Sequence, residues 1–284
     1  MDLIDTHQHL ILRDRIGYAW TQPIPELATG DFTLQDYHDL TKGKGVVGTV
    51  FMETGVDDDD YKDEARMVAQ IMRDAPGAPI GQIASCRPEF DEGFDEWLEE
   101  GEGLNIVGYR RILHVVPDDV SQSETFRRNL RKIGDRDLPF DINFLARQLP
   151  IARALVDACN NQVFVLDHCG VPDIAAGEYD EWARGIRSLA VVPQVVCKLS
   201  GISAYCAPGQ ASVEALRPYV DHILESFGPD RILWGGDWPV VNLGLGLPGW
   251  IDATRTLLSE LTEGERAALG TGTARRVYGL EVTG

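Results

Sequence analysis

The sequence predicts a single-domain α/β protein, a (β/α)8 barrel that spans residues 1–284. Eight short apolar runs rich in β-branched residues start 23 to 43 residues apart, which leaves room for a strand, a helix and two loops each. Helix-like segments with apolar residues at helical spacing lie between the runs. None of the runs alternates cleanly between polar and apolar residues, so we expect parallel strands that are buried on both faces.

Each strand and several helices can be placed along the chain. The expected strands are, in order, Leu3-Ile4, Val46 to Met52, Ile80 to Ala84, Ile106 to Leu113, Phe140 to Phe144, Val163 to Leu166, Val195 to Leu199 and Ile232 to Trp234. Two helices are expected at Asp60 to Arg73 and at Leu149 to Cys159, where Pro150 suits the first turn. Ser212 and Asp252 are N-terminal signals for two later helices.

The length of the chain also fits a barrel, whose typical size is about 250 residues. The remaining residues fit a long first loop, Leu10 to Gly30, and a C-terminal helical segment, Glu263 to Tyr278. An open doubly wound sheet is the alternative fold. However, the first strand is not followed by the Gly-x-Gly-x-x-Gly turn that binds phosphate in the nucleotide-binding version of that fold.

Composition and charge exclude several classes of partner. The chain has 26 Lys and Arg against 45 Asp and Glu, a formal charge of −19, so we expect neither nucleic acid nor an anionic membrane as a partner. The N-terminus lacks a signal-peptide pattern, and no stretch approaches the roughly 18 apolar residues that span a bilayer, so we expect a cytoplasmic protein. The five cysteines lack Cys-x-x-Cys spacing and are expected to be reduced. The oligomeric state stays open.

Four polar residues follow apolar runs at points where strand ends would form the barrel mouth. His7 and His9 are two apart on an extended segment, so both imidazoles can reach one ion or one substrate oxygen. His168 follows the sixth run, and Asp237 follows the eighth, where a buried aspartate needs a cation, a histidine or a solvent-filled pocket. We therefore predict these four as catalytic residues, and as ligands if a single zinc ion is bound.

Five further residues near the strand ends are predicted to contact the substrate: Glu53, Arg110, Arg111, Lys198 and Trp238. Only one of the two adjacent arginines is expected to face inward, where it could hold a substrate hydroxyl or carboxylate. Lys198 could neutralise a developing oxyanion, or it could pair with a carboxylate at the barrel rim. Trp238 could form an apolar wall or pack against the helical shell.

Five segments in a fixed order carry a family resemblance. They are Ile4 to His9, Gly108 to Arg111, Leu166 to Pro172, Cys197 to Gly201 and Phe227 to Val240. With them the chain resembles, over nearly its whole length, the lactonase branch of the amidohydrolase superfamily. This resemblance implies a (β/α)8 barrel and the hydrolysis of lactones, among them fuconolactone-type sugar lactones and pyrone dicarboxylate lactones. It also favours Arg110 as the arginine that faces the pocket.

The resemblance has one clear departure, which bears on metal content. The fifth strand, Phe140 to Phe144, lacks the histidine of binuclear amidohydrolases, so a two-metal site is not expected. The lactonases that this chain resembles include members with a single zinc and members without metal. One Zn²⁺ is therefore a candidate cofactor, and metal-independent catalysis stays an alternative.

These observations lead to a functional expectation. We expect a hydrolase of carbohydrate metabolism that opens a lactone ring, with Asp237 as general base and with His7, His9 and His168 polarising the carbonyl. A neutral sugar lactone ranks first as the small-molecule substrate, and a dicarboxylate lactone ranks second. A metal-dependent decarboxylase of the same superfamily and a noncatalytic sugar-binding barrel are the alternatives.

Overall fold

The computed structural model describes residues 1–280, so the last four residues of the predicted domain, 281–284, lie outside it. Eight parallel strands, each hydrogen-bonded to the next along the chain, form one sheet in the order β1 to β8. They are β1 (Leu3–Gln8), β2 (Val46–Met52), β3 (Gly81–Ser85), β4 (Ile106–Ile112), β5 (Phe140–Asn143), β6 (Phe164–Leu166), β7 (Val195–Leu199) and β8 (Ile232–Trp234). The predicted α/β barrel is confirmed.

A helix follows every strand and packs outside the sheet. These helices are α1 (Leu34–Thr41), α2 (Tyr61–Asp74), α3 (Phe94–Gly101), α4 (Glu124–Gly134), α5 (Leu149–Ala158), α6 (Tyr179–Ala190), α7 (Val213–Phe227) and α8 (Gly246–Leu257). The predicted C-terminal helical segment consists of α9 (Glu263–Ala267), a π-helical turn (Ala268–Gly272) and α10 (Thr273–Tyr278).

The sequence signals for helix starts were right at one position and wrong at another. The Ser212 side chain accepts a hydrogen bond from the backbone N–H of Ala215, and it therefore caps α7. Asp252 does not begin a helix, because α8 already starts at Gly246. Asp252 instead lies on the outer face of α8, where its carboxylate is 2.7 Å from the ammonium group of Lys44.

The first and last strands meet at a seam made of a few direct hydrogen bonds. The Thr6 hydroxyl donates to the carbonyl oxygen of Trp234 at 2.7 Å. The backbone N–H of Asp237 donates to the carbonyl oxygen of His7 at 2.8 Å, and that of His9 donates to the carbonyl oxygen of Trp238 at 3.0 Å. β1 is longer than predicted because its polar residues are buried at this seam.

A separate apolar cluster fills the end of the barrel that lies opposite the mouth. It contains one or two side chains from most strands, among them Ile4, Val50 and Val165, together with Ala274 and Tyr278 of α10. The helix α10 therefore covers the amino-terminal end of the barrel. Among residues 1–280, no helix is both long and apolar enough to cross a membrane. All five cysteines are buried and free.

Candidate active site

The structure brings the four predicted catalytic residues together at the carboxyl ends of the strands. His7 lies in β1 and His9 directly follows it, while His168 follows β6 and Asp237 follows β8. Oδ1 of Asp237 is 3.6 Å from Nε2 of His7 and 3.4 Å from Nε2 of His9, and Oδ2 is 3.9 Å from Nδ1 of His168. All four side chains are buried, so one carboxylate faces three imidazoles with little water between them.

Unusual backbone geometry holds this arrangement. His168 and Asp237 have φ angles of 52° and 55°, in the left-handed region that costs energy for residues other than glycine. Gly201, with a φ of 64°, lies against both side chains. A Cβ atom at Gly201 would be 2.1 Å from Oδ2 of Asp237 and 2.9 Å from Nδ1 of His168. Glycine at this position therefore makes room for the pair.

The hydrogen bonds of the histidines determine which ring nitrogens face Asp237. Nδ1 of His9 is 2.9 Å from the carbonyl oxygen of Met52 and must donate to it. In a neutral His9 the lone pair of Nε2 then faces the Asp237 carboxylate, an arrangement that a proton or a metal ion between them stabilises. Nδ1 of His168 lies 2.9 Å from the Ser200 hydroxyl, which orients that ring.

Burial keeps two of these histidines neutral. It holds the pKa of His7 well below its ordinary value, against the opposing attraction of Asp167. Burial also lowers the pKa of His168, although Asp237 and Asp167 oppose this shift. Neutral imidazoles have the protonation state that metal ligation and hydrogen-bond acceptance require.

Three of the four predicted ligands have the geometry of a metal site. His7, His168 and Asp237 each offer a ligand atom within 4.8 Å of the others. Two neutral imidazole nitrogens and one carboxylate oxygen are a donor set that zinc accepts. His9, the fourth predicted ligand, has its Nε2 atom beside Asp237 as described above. The residues present therefore fit one metal ion.

A layer of buried charges lies beneath the histidines. Asp167 has its Oδ1 atom 3.1 Å from Nζ of Lys198 and 3.5 Å from Nδ1 of His7, and its Oδ2 atom accepts from Arg110 at 3.2 Å. Burial alone would raise the pKa of Asp167, but Lys198, His7 and Arg110 together hold it well below its ordinary value. Lys198 also pairs with Asp141 of β5. The lysine thus lies inside the barrel and not at its rim.

Sequence reasoning assigned no role to Asp141 or Asp167. A signal for both was present, because each carboxylate belongs to or directly follows an apolar strand, and an unpaired buried charge is costly. Lys198 lies within a third apolar strand and is the complementary charge. The pairing itself depends on which strands are neighbours and on their register, which the sequence does not give.

A cavity of about 370 Å³ opens over Asp237, His9 and His168. Its other lining residues are Trp20, Glu53, Thr54, Gly55, Val56, Asp58, Ser85, Arg87, Arg110, Arg111, Ile112, His114, Val115, Asn143, Tyr205 and Val240. Three of the five residues predicted to contact the substrate therefore line it. Arg110 lies in the barrel interior and donates to Oε1 of Glu53 at 2.7 Å, while Arg111 extends outward to Glu89.

Two predicted substrate-binding residues lie behind the cavity wall. Lys198 is buried in the charge layer. Trp238 is 2% exposed, and its ring packs edge-on against Phe32 and Tyr37 at centroid distances of 5.5 and 5.8 Å. Trp238 therefore packs against the helical shell and supports the backbone next to Asp237. Of its two predicted roles, the structure shows this one and not the apolar wall of the pocket.

Comparison with known proteins places the chain in a family. The family model described as Amidohydrolase matches residues 4–280. An L-fucono-1,5-lactonase of Burkholderia multivorans is 28% identical over 98% of this chain and 96% of its own length. A 2-pyrone-4,6-dicarboxylate hydrolase of Comamonas testosteroni is 32% identical over 65% of this chain and 57% of its own length.

A solved structure supports the same placement. A Burkholderia multivorans amidohydrolase crystallised with bound zinc superposes with a TM-score of 0.87 and 25% identity, over 99% of this chain and 100% of its own. The family match spans nearly all of the described barrel and includes His7, His168 and Asp237. The chain belongs to the amidohydrolase family.

Proposed function

We propose that the protein is a hydrolase that opens the ring of a neutral sugar lactone. The observation that carries the proposal is the Asp237 carboxylate, which lines a cavity of about 370 Å³ and lies within 4 Å of the imidazoles of His7, His9 and His168. Such a group can take a proton from water while the imidazoles face the polarised carbonyl. One relative is named a lactonase and another a hydrolase of a pyrone dicarboxylate, and both names support the same reaction class.

The pairing of the cavity arginines favours a neutral substrate over a dicarboxylate. Arg110 pairs with Glu53 at 2.7 Å, Arg111 with Glu89 at 2.7 Å, and Arg87 with Asp58 at 2.6 Å. Each of the three arginines that line the cavity thus already has a protein carboxylate as its partner. A substrate carboxylate would have to compete with these ion pairs, whereas a hydroxyl group would not.

The geometry supports the following sequence of steps. A lactone enters with its ring carbonyl toward His7, His9 and His168. Asp237 takes a proton from a water molecule as its oxygen attacks the carbonyl carbon, and a tetrahedral oxyanion forms. The bond between the carbonyl carbon and the ring oxygen then breaks, and Asp237 returns the proton to that oxygen, which becomes a hydroxyl group. Arg110 lines the same cavity, where its guanidinium can donate to a substrate hydroxyl group.

We also propose that one zinc ion binds to His7, His168 and Asp237. When bound, zinc would lower the pKa of a water molecule and polarise the substrate carbonyl. The fit of the donor atoms and the zinc in the related crystal structure support this assignment. Equilibrium dialysis against zinc should give one tightly bound ion per wild-type chain and a large loss of binding in His168→Ala. Equal zinc binding by both proteins would reject the assignment.

The catalytic role of Asp237 can be tested with a panel of aldonolactones. We expect Asp237→Asn to lower the rate of ring opening by about 10² to 10⁴. Asp252→Asn, which changes an exposed aspartate on α8, is the matched control and should keep wild-type activity. Full activity in Asp237→Asn, or a wild-type protein that opens no lactone, would reject the proposal. Binding of sugar lactones without turnover would indicate a noncatalytic barrel, and release of CO₂ from an acidic substrate would indicate a decarboxylase.

The cysteines support a proposal about the compartment. All five are buried and unpaired with one another, as expected for a protein that folds in a reducing environment. We therefore place the protein in the cytoplasm, and its proposed sugar-lactone substrate places the reaction in carbohydrate metabolism. Fractionation of cells that produce the full chain, with antibody detection, tests this placement.

A further inference from the structure

The cavity contains polar groups that the proposed reaction does not use. His114 follows β4, Asn143 ends β5, and Trp20 comes from the first loop, where its indole lies beside Gly55. Each carries a buried polar atom without a hydrogen-bond partner within residues 1–280: Nδ1 of His114, Oδ1 of Asn143 and Nε1 of Trp20. Asn143 is only 4% exposed. The three unpaired atoms belong to residues of one cavity wall.

Buried polar atoms without partners are unusual, because each has lost its water and gained nothing in return. One such atom can be a local imperfection of packing. Three on the wall of one cavity, next to the proposed catalytic residues, are better explained by a ligand that completes their hydrogen bonds. Because these atoms have already lost their water, binding of that ligand would add little to the desolvation cost of the site.

The chemistry of the three groups defines the ligand. Burial lowers the pKa of His114 to about 4, and the positive charge of Arg110 adds to this shift, while the nearby Asn143 side chain, which would accept from a protonated imidazole, offsets part of it. The imidazole is therefore neutral near pH 7, as are the amide and the indole. Trp20 can only donate, Oδ1 of Asn143 can only accept, and a neutral imidazole has one donor and one acceptor nitrogen.

A hydroxyl group can both donate and accept, so it can satisfy any of these three groups. A carboxylate can only accept, and it would bring its charge against the amide oxygen of Asn143. An unsubstituted methylene ring would leave all three groups unpaired. Neutral rings with several hydroxyl groups therefore fit this wall better than carboxylated or unsubstituted rings.

We propose that His114, Asn143 and Trp20 form a hydroxyl-binding subsite that selects polyhydroxylated lactones. The proposal rests on the proposed function, because it assigns the substrate class of the same cavity. These residues bind and orient the ring and take no part in proton transfer. Discrimination by such a site is strong, since a substrate without the hydroxyl leaves buried polar groups unpaired.

The test compares two lactones in two variants. Asn143→Leu removes the acceptor with little change in size, and Asn143→Asp keeps an acceptor oxygen at the same place. For the best substrate in a panel of aldono-1,5-lactones, we expect kcat/KM to fall at least tenfold in Asn143→Leu and less in Asn143→Asp. For δ-valerolactone, which has no hydroxyl groups, kcat/KM should change by less than about twofold. An equal loss on both lactones, or no loss on the aldonolactone, would overturn the subsite.

A binding measurement separates failure of the subsite from failure of the proposed function. A 1,5-anhydroalditol has the hydroxyl groups of the sugar ring but no ester to hydrolyse. By calorimetry, we expect it to bind wild-type protein at least tenfold more tightly than Asn143→Leu, whether or not any lactone is opened. Absence of binding to the wild type, or equal binding to both proteins, would overturn the subsite even if lactones are hydrolysed.

Discussion

The ammonium nitrogen of Lys198 lies 3.1 Å from Oδ1 of Asp167, and both side chains are fully buried within the barrel. The same nitrogen pairs with Asp141, so one cation compensates two carboxylates. Asp167 in turn contacts His7 and Arg110. The buried charges of the barrel interior therefore lie directly against the imidazole of His7.

Lys198→Met tests how much this buried cation contributes to stability. The substitution leaves Asp141 without its cation and Asp167 with Arg110 alone. Removing one member of a buried ion pair costs about 3 to 5 kcal/mol because the other charge stays uncompensated. We expect a loss of this size in the free energy of unfolding, measured by urea denaturation. The double variant Lys198→Met/Asp141→Asn should recover part of the loss, and a single variant as stable as the wild type would contradict the assignment.

Gly201→Ala should remove activity through a direct clash with the Asp237 carboxylate, since the added Cβ would lie 2.1 Å from Oδ2. Gly209→Ala is the matched control, because Gly209 has a similar φ of 72° with open space around it. Both variants should lose roughly 1 to 2 kcal/mol from the left-handed backbone. Only Gly201→Ala should also lower kcat, by about 10² or more, in assays of lactone opening. Equal activity in the two variants would show that Asp237 can move without consequence.

Tyr278→Phe tests the link between α10 and the barrel interior. The Tyr278 hydroxyl lies 2.9 Å from both carboxyl oxygens of Asp141 and donates to this group. Loss of the buried hydrogen bond should lower the free energy of unfolding by about 1 to 3 kcal/mol. Tyr219→Phe is the comparison variant, because the Tyr219 ring packs against Trp182 and Tyr179. The stability of both variants is measured by thermal denaturation. A smaller loss in Tyr278→Phe than in Tyr219→Phe would argue against the link.

Glu64→Gln should change how stability depends on pH. Glu64 is 1% exposed and accepts from the backbone N–H of Thr54, and burial together with the charge of Glu53 raises its pKa from 4.5 to about 8. Between these values the folded protein keeps a proton that the unfolded chain has lost. Unfolding then releases a proton, and folded-state stability falls as pH rises, by up to about 1.4 kcal/mol per pH unit.

The glutamine variant removes this titration and can still accept from Thr54. We expect its stability relative to wild type to increase steadily from pH 5 to pH 8, measured by urea denaturation at each pH. Glu265→Gln is the control, because the pKa of this exposed carboxylate is lowered by Thr262 and lies below that range. A stability difference for Glu64→Gln that does not change with pH would contradict the raised pKa.

The barrel and the meeting of His7, His9, His168 and Asp237 at its mouth were predictable because they depend on local patterns. Apolar runs located all eight strands, and the polar residues after them identified His168 and Asp237. The charge layer was not predictable, since Lys198 and Asp141 are 57 residues apart and meet only through the strand register. The orientation of Trp238 was undecided for a related reason. The chain direction at Trp238 depends on the left-handed backbone of Asp237. An aspartate in the sequence does not predict that conformation.

The seam between β1 and β8 joins the two halves of the proposed active site, so that site exists only when the barrel is closed. The hydrogen bond from the N–H of Asp237 to the carbonyl of His7 joins the first strand to the segment after the last one. In an open sheet that contained all eight strands and all surrounding helices, the proposed general base Asp237 and His7 would lie at opposite edges. Recovery of enzymatic turnover would therefore measure closure of the barrel. The circular dichroism signal of the helices would change little in that step.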